Sequence, residues 1–403
     1  MASDHPALLL LIFTAVYHIG LFGIPDVVLN FYYVSLGYTT DQIALFQSIP
    51  RIGGVLTGLP VGYIATRLGE RNLILGSTFG AALALALLVI VPTTTGILIG
   101  RFLLGFLYGA GQIALPVLMV RLVRPERVNS YFAAFNIVGM SFTAIGSVIG
   151  GYLPGWIAGG ADSQSATAYG GSLLICAGIM IIGVLPLIFV PEVNAEQRRR
   201  SNRLRNVPWR LIVRLSLPML VFGFTGGLTF PFYNLFFRDT FALSDIQIGQ
   251  VIGFGWIGMA LIPMLSPPLA RRVGNAQSLA ILMTIAAVAF FGLSLSASVG
   301  ALILSIITYV IAVSARNCMQ PLFQPLQMGS LPPELRNIAS SAASVIWNLG
   351  WFGATIISGV LQTQYGYPTI MMIVAAGVFV SGLMVMHIYR HVKPVETPPP
   401  APA

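Results

Sequence analysis

Charge is what this 403-residue chain has least of: 8% of its residues are Asp, Glu, Lys or Arg, while 56% are hydrophobic. A soluble domain typically carries about 25% charged residues, so an ordinary water-exposed surface is excluded. Cysteine is nearly absent too. The two present, Cys176 and Cys318, fall inside predicted helices, where each reads as a small hydrophobe and a disulfide between them is not expected. No cluster of His, Cys or carboxylates suggests a metal, and no nucleophile stands with a base. A Walker-type G-x-x-x-x-G-K-[ST] phosphate cradle is missing as well. These absences speak against an enzyme, a cofactor and transport driven by ATP.

Long apolar runs are what the chain has instead. About 20 such residues span a hydrocarbon core of roughly 30 Å. Twelve spans are predicted, over 7–34, 42–65, 73–91, 96–120, 130–154, 170–190, 210–237, 245–269, 277–297, 299–325, 337–361 and 367–388. Of the 21 basic residues, 17 fall in the even-numbered connections or the C-terminal tail: Arg67, Arg71, Arg121, Arg124, Arg127, the 198–214 cluster, Arg271, Arg272, Arg336, Arg390 and Lys393. The positive-inside bias then makes both termini cytoplasmic, with a plasma or bacterial inner membrane as the expected location. The net charge of +9 is explained by that topology and is no sign of nucleic-acid binding. No cleavable signal is expected, because the first apolar run is too long and lacks a basic n-region.

The organising stretch is the short basic turn Gly62-Tyr63-Ile64-Ala65-Thr66-Arg67-Leu68-Gly69-Glu70-Arg71, set between two spans. The same construction returns 205 positions later. Thr39-Thr40-Asp41-Gln42-Ile43 overlays Ser244-Asp245-Ile246-Gln247-Ile248, Ile52-Gly53 overlays Ile257-Gly258, and Arg67-Leu68-Gly69 overlays Arg272-Val273-Gly274. An echo at half the chain length marks a duplicated membrane protein. The expected division is an N-terminal six-helix bundle over 1–190, a basic cytoplasmic linker over 191–209, a C-terminal six-helix bundle over 210–389 and a disordered Pro-rich tail over 390–403. The linker cluster Arg198-Arg199-Arg200 with Arg203 and Arg205 reads as a solvated segment enforcing topology. An anionic-lipid patch is its alternative.

Polar residues inside the spans are few and patterned. The first span carries His18, Phe22, Asp26, Asn30 and Tyr33 at helical spacing, a stripe that is costly against lipid and tolerable against water. Asp41 and Asp245 read as structural acids at helix starts. Arg51 lies near the midpoint of the second span, with Gln47 nearby. The fourth holds Arg101, Gly105, Tyr108 and Gln112. The tenth holds Arg316, Gln320 and the bend-inducing Pro321 and Pro325. Aromatic and amide groups recur as Asn234, Trp256, Trp347 and Trp351.

Twelve spans in two halves, with the 62–71 turn, resemble the major facilitator superfamily of secondary transporters over essentially the whole chain. That family's signature G-x-x-x-D-R-x-G-R-[RK] is matched by Gly62, Arg67, Gly69 and Arg71, while Thr66 replaces the acid and Glu70 a basic residue. The altered acid puts the family's usual latch of this turn in doubt and leaves Glu70 to find another partner. The conformational-switch set is therefore Gly62, Arg67, Gly69 and Arg71, with Arg272 and Gly274 as repeat partners. Arg101 and Gly105 resemble the R-x-x-x-G motif. Gly146, Gly150 and Gly151 resemble the antiporter motif G-P-x-x-G-G, with Ser147 in place of its proline.

The resemblance implies an all-α fold and a monomeric carrier of a small molecule, working by alternating access amid membrane lipid. The resemblance implies a helix-one acid near a helix-four arginine, so Asp26 and Arg101 are expected to form a proton-responsive pair, in which burial favours the neutral carboxyl and a guanidinium favours the charged one. His18 is a second proton candidate. Arg51 and Arg316, from opposite halves, suit an oxyanion held by planar forks. Their alternative is bonding to carbonyls or to Gln47 and Gln320. Asn30, Tyr33, Gln112, Asn234, Trp256, Gln320 and Trp347 complete the expected site. An amphipathic, anionic or partly anionic solute exported with proton coupling is the favoured reading. A lipid-handling carrier or flippase and a non-transporting scaffold or pigment-delivery factor are the alternatives.

Overall fold

The computed structural model describes residues 5–57, 64, 67–159, 162–191 and 207–390. Ten helices among them are long and apolar enough to cross a membrane. One of the ten, Ile338–Tyr389, breaks at Gly366, whose φ of 73° is left-handed backbone that favours glycine. It therefore makes two crossings. Thr40–Leu56, of 17 residues, borders residues outside those described. The chain is an all-α membrane protein, and its helical runs are consistent with twelve crossings.

In chain order the helices are α1 His5–Ser35, α2 Thr40–Leu56, α3 Glu70–Ile90, α4 Thr94–Leu122, α5 Val128–Ala158 and α6 Ala166–Ile188. The second series is α7 Trp209–Phe241, α8 Asp245–Val273, α9 Asn275–Ser298, α10 Leu302–Gly329, α11 333–365 and α12 367–389. The predicted spans overlay these helices, with the second, 42–65, described as helix over Thr40–Leu56 alone. Several helices run past the apolar stretch at both ends, since polar residues extend a helix beyond the hydrocarbon as readily as apolar ones. The Arg198–Arg205 cluster, Gly62, Thr66 and the tail from 391 lie outside the described residues.

The duplication is visible in backbone detail. Gly69 and Gly274, 205 positions apart, share an unusual geometry, with φ 84° and ψ 154° in one and φ 87° and ψ 159° in the other. Thr39 and Ser244 cap α2 and α8 alike, each backbone N–H donating to the side-chain oxygen of Gln42 or Gln247 at 3.0 Å. That reciprocal arrangement satisfies orphan donors at a helix start.

Prolines accompany breaks in three of the helices. α1 widens into a π-turn over Ile19–Gly23, just before Pro25. α7 tightens into a 3-10 turn over Phe230–Phe232 around Pro231. Pro231 has no N–H for the Gly227 carbonyl, and Thr355 Oγ1 donates to that carbonyl at 3.1 Å instead. In α10 the helix is interrupted at Cys318, where Pro321 cannot reach back to Asn317; the expected bend is present.

α1–α6 pack on one another, as do α7–α12. The main seams between the two groups are α5 against α8 and α2 against α11. Both seams are tight at the end of the molecule where α1 and α7 finish. A Cβ on Gly249 would lie 2.5 Å from the Ser147 carbonyl, and one on Gly359 would lie 2.7 Å from Ala44 Cβ. Small residues permit such approaches of helix backbones. This end is called the clasped end below, and the other the open end.

Candidate functional site

Burial changes along the polar stripe of α1. His18, Phe22 and Asp26 are partly exposed, whereas Asn30 is 1% and Tyr33 0% exposed. α10 repeats the trend: Tyr309 and Val313 are buried, Arg316 is half-buried, and Gln320 and Gln324 are exposed. The α1 side chains pack on protein. His18 Nδ1 lies 3.1 Å from Thr143 Oγ1 of α5, and Phe22 meets Tyr108 of α4 edge-on at 5.4 Å. The two groups are therefore sealed together at the clasped end, and the α1 and α10 stripes grow more exposed toward the open end.

The seal is reciprocal. Asn30 Nδ2 donates to Asn234 Oδ1 at 2.8 Å and to the Pro231 carbonyl at 2.6 Å, while Asn234 Nδ2 donates to the Val27 carbonyl at 2.9 Å. Each amide thus reaches the carbonyl three residues before its counterpart. Gln47 Nε2 donates to Asn30 Oδ1 at 2.6 Å, and Arg101 donates to Gln47 Oε1 and, at 3.0 Å, to the Phe46 carbonyl. A chain of bonds thereby runs from α4 through α2 and α1 to α7. Gly105, one turn beyond Arg101, explains the R-x-x-x-G spacing: any Cβ there would overlap the Pro50 backbone, so α4 lies close enough for Arg101 to reach α2.

The direct Asp26–Arg101 ion pair is not formed. Arg101 is engaged on α2, and Asp26 instead accepts a hydrogen bond from Trp256 Nε1 of α8 at 3.0 Å. Trp256 begins a run of aromatic rings across the second group: Phe230 lies 5.7 Å from Trp256 and 5.7 Å from Trp351, which lies 5.2 Å from Trp347. Arg51 crosses from α2 onto this run. Its guanidinium sits 4.1 Å from the Trp351 ring centre and 5.0 Å from that of Trp347. It makes no hydrogen bond or ion pair among the described residues. The expected Gln47 partner belongs to Asn30 and Arg101. A cation on an indole face is attracted by the ring quadrupole, which holds the guanidinium while leaving its in-plane N–H donors unused.

Arg316 approaches from α10. It donates to the Phe222 carbonyl at 2.6 Å, stacks 4.0 Å from the Phe222 ring, and keeps a buried Nε without a partner. At Gly226 a Cβ would lie 2.5 Å from both Arg316 Nη2 and Trp351 Cζ3, so both arginines border Trp351. Trp347 Nε1 is also buried and unpaired. Tyr33 packs against Phe46 at 5.2 Å within the seal. Gln112 is not with this group: it lines a small void among α1, α3 and α4 with Tyr17 and Thr78. Its helical face points into the first group, which position along the span did not reveal.

Ion pairs also lie outside the centre. Glu70, at the start of α3, meets Arg121 at the end of α4, with Nη1 to Oε2 3.1 Å, which gives the altered turn a partner within its own half. Arg67 and Arg272 are exposed and Arg71 is half-buried. At the clasped end Asp245 exceeds the structural role expected of it. It is ion-paired with Arg238 of α7 and accepts from Tyr169 of α6 at 2.8 Å, while Arg238 donates to Tyr169 at 2.8 Å and lies over Phe31. Arg238 and Asp245 flank the α7–α8 turn in sequence, a signal that was available. Tyr169 carried none.

The model for the family described as Major Facilitator Superfamily matches residues 10–355. A facilitated trehalose transporter of Drosophila erecta is 27% identical over 41% of this chain, and one of Drosophila willistoni is 29% identical over 41%. The chain spans 19% of the first relative's length and 18% of the second's. Among solved structures, a D-xylose-proton symporter is similar with a TM-score of 0.81 at 12% identity, over 98% of this chain and 100% of that one. The nucleoside transporter NupG gives 0.75 at 16% identity, over 96% and 99%. A bacterial homologue of the human lysosomal transporter Spinster, in an inward-facing and unoccupied conformation, gives 0.77 at 14%, over 97% and 98%. With its family model, its helices and its neighbours in agreement, the chain belongs to the Major Facilitator Superfamily and is a multi-pass membrane protein.

Proposed function

We propose that this protein is a transporter that carries a small amphipathic organic solute with an oxyanion, in alternating access coupled to protons. The observation that carries the reading is Arg51, which is held across the two groups on Trp351 and Trp347 without using its hydrogen-bond donors. An anionic group bound there gains charge-assisted bonds, and the neighbouring rings cover the apolar part of the solute. Asp26 takes the proton, with His18 nearby. Bundles 1–190 and 210–389 are the moving bodies, joined by 191–209. The basic open end faces the cytoplasm of a plasma or bacterial inner membrane, the protein acts as a monomer, and the proposed direction is export.

Neutral sugars or nucleosides are the second reading. The names of the relatives favour it, a facilitated trehalose transporter, a D-xylose-proton symporter and a nucleoside transporter. A flippase is less favoured, because the α5–α8 and α2–α11 seams are in backbone contact at the clasped end. Unpaired arginine donors disfavour a collapsed scaffold.

Liposomes with an imposed pH gradient, offered organic anions, amphiphilic cations, trehalose, xylose and a nucleoside, test both readings and the direction. Organic-anion flux is expected, falling by about tenfold or more in Arg51→Gln, as loss of a bond to a charged group implies. Normal transport by both Arg51→Gln and Arg316→Gln would remove the anion reading. Flux of trehalose, xylose or the nucleoside alone would establish the second.

A further inference from the structure

We propose that the groove between the open ends of α7 and α12 is a binding site for an anionic phospholipid. The groove holds about 400 Å³ and is lined by Arg214 and Leu217 of α7 and by Val380, Leu383, His387 and Ile388 of α12, among others. It belongs neither to the central site nor to the 62–71 turn.

Helix geometry sorts the lining. Val380, Leu383 or Met384, and His387 recur at three- and four-residue steps, so they stack along one face of α12. Arg214 and Leu217 do the same on α7. Both basic groups sit near the open end of their helices, and the apolar side chains lie deeper by roughly 5–10 Å at ~1.5 Å per residue. Leu383 is 52% and Val380 45% exposed, which in a membrane-spanning helix means exposed to lipid. The wall thus has a cationic mouth at the membrane surface above an apolar trough. A phospholipid has the matching order, with its phosphate above its acyl chain.

Charge selects the class of lipid. Residues 209–238 and 367–389 contain no Asp or Glu, so no side chain of these stretches neutralises Arg214. Arg210 and Arg390 flank the mouth in sequence, and Trp209, 56% exposed, stands at the same level, where amphipathic rings settle at a membrane interface. Juxtamembrane basic groups attract anionic lipids, and His387 offers an N–H donor in either charge state.

The test is lipid retention by native mass spectrometry of the full-length protein, purified from nanodiscs of mixed phosphatidylglycerol and phosphatidylcholine. Wild type is expected to retain phosphatidylglycerol in preference to phosphatidylcholine. Arg214→Gln should weaken retention about fivefold, the factor expected for one basic group at an anionic surface. His387→Gln should compound the loss, and Arg214→Lys should restore most of it. Arg271→Gln, at the same end but outside the groove, should retain as wild type does. The melting temperature of each variant separates lost lipid from lost fold. Equal retention of the two lipids by wild type would overturn the proposal. So would phosphatidylglycerol retention unchanged in a folded Arg214→Gln/His387→Gln double variant, or lost equally in Arg271→Gln.

Discussion

Asp26 has one hydrogen-bond partner in the second group of helices, the Trp256 indole, and that bond links the proposed proton carrier to the closure of the molecule. An indole N–H is a donor without acceptor capacity, and a carboxylate accepts from it more strongly than a carboxylic acid does. Protonation of Asp26 therefore weakens the contact between α1 and α8. Asp26→Asn is expected to abolish accumulation driven by a pH gradient while downhill exchange persists; wild-type accumulation by this variant would take Asp26 out of the coupling role. The spacing of the α1 stripe identified Asp26 from sequence because a helical face is a local property. Its partner was hidden, since Trp256 lies 230 positions away and its pairing depends on how α8 is rotated.

The discontinuous helices α1 and α7 meet through Asn30 and Asn234, both buried. Each side chain takes part in the other's bonding, so removing either leaves buried polar groups unsatisfied, typically at about 1–3 kcal/mol. Asn30→Ala and Asn234→Ala should each shift the clasped end toward separation, and the double variant should go little further, because the contacts are shared. Spin labels on Thr94 and Val299, both exposed at that end, would report this as a longer distance population. Strictly additive shifts, or none, would show that the amides do not hold the seal. The helices and their proline breaks were legible in the sequence. The reciprocity of the two amides was not, because it needs α1 and α7 facing each other across the two groups.

Across the whole molecule, the clasped end is joined at the α2–α11 and α5–α8 seams and at the Tyr169–Arg238–Asp245 cluster, while the stripes of α1 and α10 grow more exposed toward the other end. Transport by alternating access requires the clasped seams to part. Ala44→Cys with Gly359→Cys places two thiols where a Gly359 Cβ would already lie 2.7 Å from Ala44 Cβ, within reach of a disulfide after slight relaxation. Oxidation should cross-link the pair and stop transport, and reduction should restore it. A cross-linked protein that still transports would show that this seam stays closed throughout the cycle. The native thiols, Cys176 and Cys318, are buried and should not interfere.

Hydropathy and duplication determined the all-α membrane fold, its crossings and its family resemblance, because lipid forces every buried backbone group into a helix and a repeat leaves its period in the chain. Which of the membrane-embedded charges met which partner was decided by tertiary structure alone. Arg101 went to Gln47, Asp26 to Trp256, and Arg51 to an aromatic face. Helix rotation and interhelix distance fix those choices, and neither is encoded in the spacing of residues along any one helix.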